Sequence, residues 1–148
     1  MPQTPKQPPQ TTAPHRSDCP ITCTLELLGD KWSLLLIRDI AVAGKHRYSE
    51  LENSPENIPT NILAERLKRL TNNDILEKIC YQQRPPRYAY MLTPKGANLL
   101  PVLHAISKWA LENDTGSWQP PDIFWQLTPE KVLANQKKYI AEINANKR

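Results

Sequence analysis

At 148 residues, the chain is long enough for one cored domain and too short for two independent ones. A formal net charge of +4, from 19 Lys and Arg against 15 Asp and Glu, suits nucleic acid or an acidic surface without demonstrating either. No apolar run approaches the roughly 18 to 20 residues that span a bilayer, and the opening MPQTPKQPPQTTAPHRSD lacks a signal peptide's apolar core, so a cytoplasmic protein with no membrane partner is expected.

Residues 1–17, rich in Pro, Gln and Thr, have too little to bury to repay the entropy of ordering, and read as a disordered tail. The first helix starts at Asp18 or Cys19 with Pro20 in its first turn, places Ile21, Leu25 and Leu28 on one apolar face, and stops at Gly29. Asp30 can cap a second helix, KWSLLLIRDIAVA, which is apolar on more than one face through Trp32, Leu35, Leu36, Ile37 and Ile40. It ends at Gly44 and reads as the central core helix. Ser49 with Glu52 three residues on is a capping-box arrangement for a short third helix, closed by Pro55.

After Ile58-Pro59, Thr60 or Asn61 can cap a fourth helix, ILAERLKRL. Its Leu63, Leu67 and Leu70 point inward, while Asn61, Ala64, Glu65, Lys68 and Arg69 face out. LEKICY and YAYMLT read as two strands, with Tyr88, Tyr90 and Leu92 alternating in the second and QQRPPR forming the tip. Thr93-Pro94 caps a fifth helix carrying Leu99, Leu100, Val102, Leu103, Ile106, Trp109 and Ala110, more apolar surface than one small domain needs, which suggests a second subunit. Pro101 either kinks this helix or begins its regular part. Residues 18–113 thus make one domain. In the extension, 114–148, a linker-like stretch including TGSWQPPDIFWQL leads to Thr128-Pro129 and a last amphipathic helix with Val132, Leu133, Ile140 and Ile143 on one side.

Three helices, a fourth with a polar outward face, a hairpin with a basic tip and a closing helix give the element order of a winged helix-turn-helix, mainly α with a small β-hairpin. In that fold the fourth helix enters the major groove and the hairpin reaches across the backbone towards the minor groove. Arg84 and Arg87 would supply charge to phosphates or a narrow minor groove, and Pro85-Pro86 would stiffen the tip so that less entropy is lost on binding.

Three ordered stretches are more specific than the element order: CP-x(4)-L-x-L-L-G-x-K-W from Cys19, L-A-E-R-L-K-R-L from Leu63, and P-P-R-Y-A-Y-x-L-T-P-K-G from Pro85. Together they resemble the HxlR family of bacterial transcriptional regulators over roughly residues 19 to 112. The resemblance implies a homodimer, held by the first and last family helices, that binds a two-fold-related double-stranded DNA operator. The apolar excess from Leu99 to Trp109 agrees with that independently.

On the fourth helix, Thr60, Asn61 and Glu65 are spaced to meet base edges, and Lys68 and Arg69 to meet DNA, Lys68 rather at phosphate; the alternative is an ordinary solvated face. Arg66 lies beside the inward stripe and either joins them or pairs with Glu52 or another acid. In the hairpin, Arg84 and Arg87 are phosphate or minor-groove contacts or solubility charges. Lys31 and Arg47 hold backbone from helix ends or are simply solvated. Trp32 and Trp109, at apolar helical positions, read as packing residues.

Cys19, Cys23 and Cys80 do not pair evenly and show neither C-x-x-C nor four-ligand zinc spacing, so free thiols and no metal are expected. Cys19 falls at a helix N-terminus, where the dipole and unpaired N–H groups favour thiolate. The resemblance adds that a Cys followed by Pro at this place is the thiol with which several family members sense quinones, aldehydes or oxidants; others carry it with no known sensing role. A Cys19–Cys23 disulfide is disfavoured within a helix, because i,i+4 Cβ atoms lie about 5 to 6 Å apart against ~3.8 Å in a disulfide. Cys80, on the first hairpin strand, is either accessible or a half-buried filler.

The expected function is sequence-specific transcriptional regulation, repression by occlusion, with a small electrophile or oxidant as effector. The competing class is a winged-helix protein-interaction module, whose binding would be insensitive to salt. No nucleophile-base-acid set, phosphate loop or metal cluster is legible and there are only four glycines, so neither an enzyme nor a cofactor is expected.

Overall fold

The computed structural model describes residues 15–146. Residues 1–14 of the expected tail lie outside the described residues. By its internal contacts the chain divides into two compact units, residues 1–30 and 31–148.

In the first unit, α1 (Pro20–Leu28) begins with Cys19 as N-cap and Pro20 in the first turn, where a missing N–H costs nothing. It ends where the Gly29 N–H donates to the Leu25 carbonyl at 2.8 Å. A Cβ at Gly29 would lie 2.4 Å from that oxygen, so the close turn needs glycine. The predicted apolar face is only partly buried: Leu28 is covered, but Ile21 and Leu25 are 70% and 52% exposed.

The second unit is built around α2 (Ser33–Ala41), whose Leu36, Ile37 and Ile40 are almost completely buried. Its N-cap position is Trp32, two residues beyond the predicted Asp30. α3 (Tyr48–Leu51) does not form the predicted capping box. Arg47 occupies the N-cap, and Ser49 is already inside the helix. The cause is the preceding segment, which is held extended against the hairpin. The Tyr90 N–H donates to the His46 carbonyl at 2.8 Å, His46 Nδ1 bonds the Tyr90 carbonyl at 3.0 Å, and Arg47 bridges to Ala89. The helix can start only once that pairing ends.

α4 (Thr60–Asn72) buries Leu63, Leu67 and Leu70 as predicted. Pro59, rather than Thr60 or Asn61, takes the N-cap, its carbonyl accepting the Leu63 N–H at 2.9 Å. The hairpin is one antiparallel pair, β1 (Leu76–Gln83) and β2 (Pro86–Leu92). Its ladder runs nearer the tip than predicted, to a Gln83–Pro86 pair, so only Arg84 and Pro85 lie between the strands. Pro86 is tolerated because it opens its strand, and the Gln82 amide holds the tip by donating to the Arg84 and Pro85 carbonyls. The alternation in β2 puts Ala89 and Met91 inward, leaving Tyr88 exposed and Tyr90 half-buried on the other face.

The predicted fifth helix is two. α5 (Pro94–Ala97) is capped by Thr93, whose hydroxyl accepts the Gly96 N–H at 3.0 Å, and α6 (Leu100–Glu112) begins its regular part with Pro101 in the first turn. Gly96 passes so close to β1's entry that a Cβ would sit 2.2 Å from the Ile75 oxygen. Residues 114–127 are not merely a linker. They contain α7 (Asp122–Gln126), anchored by buried Phe124, whose carbonyl bonds His104 Nε2 at 2.7 Å and whose ring meets the His104 ring edge-on. α8 (Pro129–Ala145), capped by Thr128, packs against α5.

Candidate nucleic-acid interface

The outward side of α4 is mostly polar because its large apolar residues are Leu63, Leu67 and Leu70 in one buried stripe and half-buried Ile62, leaving Ala64 as the apolar residue on the exposed face. Thr60, Asn61, Glu65 and Lys68 are exposed on it; Arg66 and Arg69 are half-buried, so Arg69 does not face out freely as predicted. Arg66 pairs with its neighbour Glu65.

What orients α4 is a charge cluster that sequence reading missed. Arg38, on α2, forms a two-pronged ion pair with Glu56 at 2.7 and 2.8 Å and also bonds Asp39 Oδ1 and Ser54. It thereby ties α2 to the turn before α4. The Arg38 guanidinium and the Ser54 hydroxyl hold the Glu56 carboxyl down at about 2. Asp39 is buried, and its Oδ2 has no hydrogen-bond partner among the described residues. The one sequence signal available was an Arg-Asp pair inside an otherwise apolar helix. A second tie runs from α3: the Tyr48 hydroxyl donates to the Thr60 carbonyl at 3.1 Å.

The helix and the hairpin share a concave surface. Ala64, Lys68, Thr71 and Asn72 of α4 line a groove with Lys78 and Tyr90 of the hairpin and Tyr48 of α3. Tyr48 and Tyr90 also line the adjoining groove, which continues along the hairpin past Tyr81 and Tyr88 to Arg87. Lys78 lies over the Tyr88 ring at 4.1 Å. The surface therefore alternates cations with aromatic rings, and its two ends are the α4 face and the hairpin tip.

Of the remaining predicted residues, Arg84 and Arg87 are exposed at the tip. Lys31 is exposed with its ammonium 5.0 Å from the centre of the Trp32 ring. Arg47 is not simply solvated. Its Nε donates to the Tyr139 hydroxyl at 3.2 Å, its guanidinium stacks over Tyr81, and Glu50 lies 3.9 Å away. The Arg47 charge is reinforced chiefly by the Tyr139 bond. Cys19 is exposed, and the backbone N–H groups of Thr22 and Ile21 at the start of α1 draw its thiol below the ordinary value. Cys23 is half-buried with its thiol 3.6 Å from the Ser17 carbonyl, and Cys80 is half-buried with its thiol on the Gln82 carbonyl at 3.1 Å. No group of three or more metal-ligating side chains occurs among the described residues, and no helix there is long and apolar enough to cross a membrane.

A helix-turn-helix followed by a two-stranded wing defines the class: this is a winged helix-turn-helix protein. The profile of the HxlR-like helix-turn-helix family matches residues 27–117, and the chain belongs to that family. MalR of Fusobacterium mortiferum, named as a regulatory protein, is 35% identical over 99 residues, 67% of this chain and 93% of the relative. Among solved structures, the reduced transcriptional regulator YodB from B. subtilis superposes with a TM-score of 0.53 at 34% identity, covering 64% of this chain and 92% of that one. The reduced redox regulator HypR superposes with a TM-score of 0.57 at 29% identity, covering 65% and 94%. Cys19 and the helices α7 and α8 lie outside the family match.

Proposed function

We propose that the protein is a sequence-specific DNA-binding transcriptional repressor that acts as a homodimer and answers electrophiles or oxidants through Cys19. The observation that carries the DNA reading is the continuous groove joining the polar face of α4 to the basic wing, because a recognition helix and a wing engage one duplex together only if they lie on one surface. Thr60, Asn61 and Glu65 meet base edges in the major groove; Lys68 meets phosphate, as do Arg84 and Arg87 unless a narrow minor groove takes them. Arg66 and Arg69 contribute charge from the flank of the helix, and Lys31 reaches backbone from before α2. Arg47 acts beside the wing with its orientation fixed by Tyr139.

Dimerisation is supported by Val102, Ile106 and Trp109, 38%, 48% and 62% exposed on α6, and by Ile21 and Leu25 on α1. Such residues in a row along a helix are the kind of apolar surface that a second subunit covers. For the thiol response, the depressed Cys19 thiolate adds to a quinone ring, forming a C–S bond and, after proton uptake, a hydroquinone. The test is an anisotropy titration on the duplex upstream of the protein's own gene and on a scrambled duplex, before and after quinone treatment. Preference for the native duplex, lost on treatment in wild type but retained in Cys19→Ser, is expected. Equal binding to both duplexes at moderate salt would count against the regulator reading, and unchanged preference after treatment against the thiol.

A further inference from the structure

The C-terminal helix α8, outside the family match, reaches the wing and is locked to it. Gln136 is buried, and its side-chain amide completes the edge of β2 in both senses: its oxygen accepts the Leu92 N–H at 2.8 Å, and its nitrogen donates to the Leu92 carbonyl at 3.0 Å. One turn on, the Tyr139 ring lies tilted against that of buried His46, 4.3 Å between centroids, and its hydroxyl accepts from Arg47. The end of α8 thus comes beside the hairpin tip, where Ile143 and Asn146 line one side of a concavity of about 580 Å³. The rest of its wall is Arg47, Arg84, Arg87, Tyr81, Gln82 and Gln83.

The chemistry of that wall is one-sided. Among the described residues its lining offers three guanidinium groups and the Gln83 and Asn146 amides, the Gln82 amide being spent on the Arg84 and Pro85 carbonyls, and holds no carboxylate. Glu50 lies 3.9 Å from Arg47 and lines neither the concavity nor the groove beside it. Planar guanidinium donors with amide donors suit a tetrahedral oxyanion, which takes several hydrogen bonds at once.

We propose that this concavity binds a phosphate group, and that, with the wing forming its floor, the group is a backbone phosphate of the bound duplex. α8 would then be part of the nucleic-acid interface, with Asn146 as a contact and Gln136 and Tyr139 as positioning residues. The proposal rests on the DNA-binding reading above. It adds an element that the winged domain alone does not supply.

Asn146 is exposed at the C-cap of α8, so it can be changed without disturbing the core. Asn146→Asp and Asn146→Lys in the full-length protein are titrated against native and scrambled duplexes across a salt series. A phosphate contact carries no base information, so Asn146→Asp should weaken binding to both duplexes about five- to tenfold at moderate salt, and Asn146→Lys should tighten both and steepen the log–log salt slope by roughly 1. Unchanged affinity and slope in both variants would overturn the proposal. A second arm titrates inorganic phosphate at fixed ionic strength into the wild type and both variants while following the Gln83 side-chain amide by NMR. If the variants alter that binding and leave duplex binding untouched, the site takes free phosphate and the duplex assignment falls. Loss of native-over-scrambled preference in the wild type would instead count against the specific reading, since the salt slope on either duplex still judges this one.

Discussion

Single residues decide whether α4 and the wing are presented correctly. Arg38 gives no sign in the sequence that its partner lies eighteen residues away, whereas the exposure of Arg84 and Arg87 at the hairpin tip follows from their place on either side of Pro85-Pro86. Replacing either wing arginine with Ala should weaken native and scrambled duplexes alike and lower the salt slope by about 1 per phosphate lost. Acid acts on two other groups in one direction. Glu56 has its folded value depressed to about 2, so its contribution is intact above the ordinary carboxylate value and is lost as pH falls towards 2. His46 is held below its ordinary value first by burial, so the folded state resists charging it and loses stability as pH falls below about 6.5. Urea midpoints should therefore fall steadily from pH 7 downward. Glu56→Gln should cost up to about 1 kcal/mol at pH 6, the pair being partly exposed, and the difference from wild type should vanish near pH 2.

At the scale of elements, the period of the leucines was enough to place α2 and α4, and the alternation around the Arg-Pro-Pro-Arg tip was enough to place the wing. The extension was harder to read. α8 has a weak apolar face by count because one of its core positions is Gln136, whose role as a substitute strand edge depends on where β2 ends in space. Likewise α7 hides in a proline-rich stretch and is held by His104, a residue with no periodic signature. Gln136→Leu leaves the Leu92 N–H and carbonyl buried without partners, so it should cost about 2 to 4 kcal/mol in urea unfolding and speed hydrogen exchange across β1 and β2. A wild-type exchange pattern in that variant would show that α8 does not brace the wing. Gly96→Ala tests the opposite kind of constraint: with the Ile75 oxygen in the way, the α5 turn must move, and a loss of about 1 to 3 kcal/mol is expected.

For the whole molecule, the proposed function assigns the apolar residues left on α6 to a second copy and the surface shared by α4 and the wing to a duplex. The expectation of a second copy comes from the surplus of apolar positions between Leu99 and Trp109; which of them stay uncovered needed coordinates, Leu100 and Leu103 being buried while Ile106 and Trp109 are not. Ile106→Glu combined with Trp109→Glu should convert a dimer to a monomer in sedimentation equilibrium and leave the unfolding midpoint of the monomer nearly unchanged, because neither side chain is in the core. The most direct measurement is selection from a random duplex pool with the full-length protein, followed by titration of the enriched sequence across salt. A dimeric regulator should select one two-fold-related motif, its half-sites centred about 10 to 10.5 base pairs apart or a multiple of that, bound on the order of 10³-fold more tightly than unselected DNA and with steep salt dependence. A pool that yields no motif, with any residual binding insensitive to salt, would contradict the proposed function.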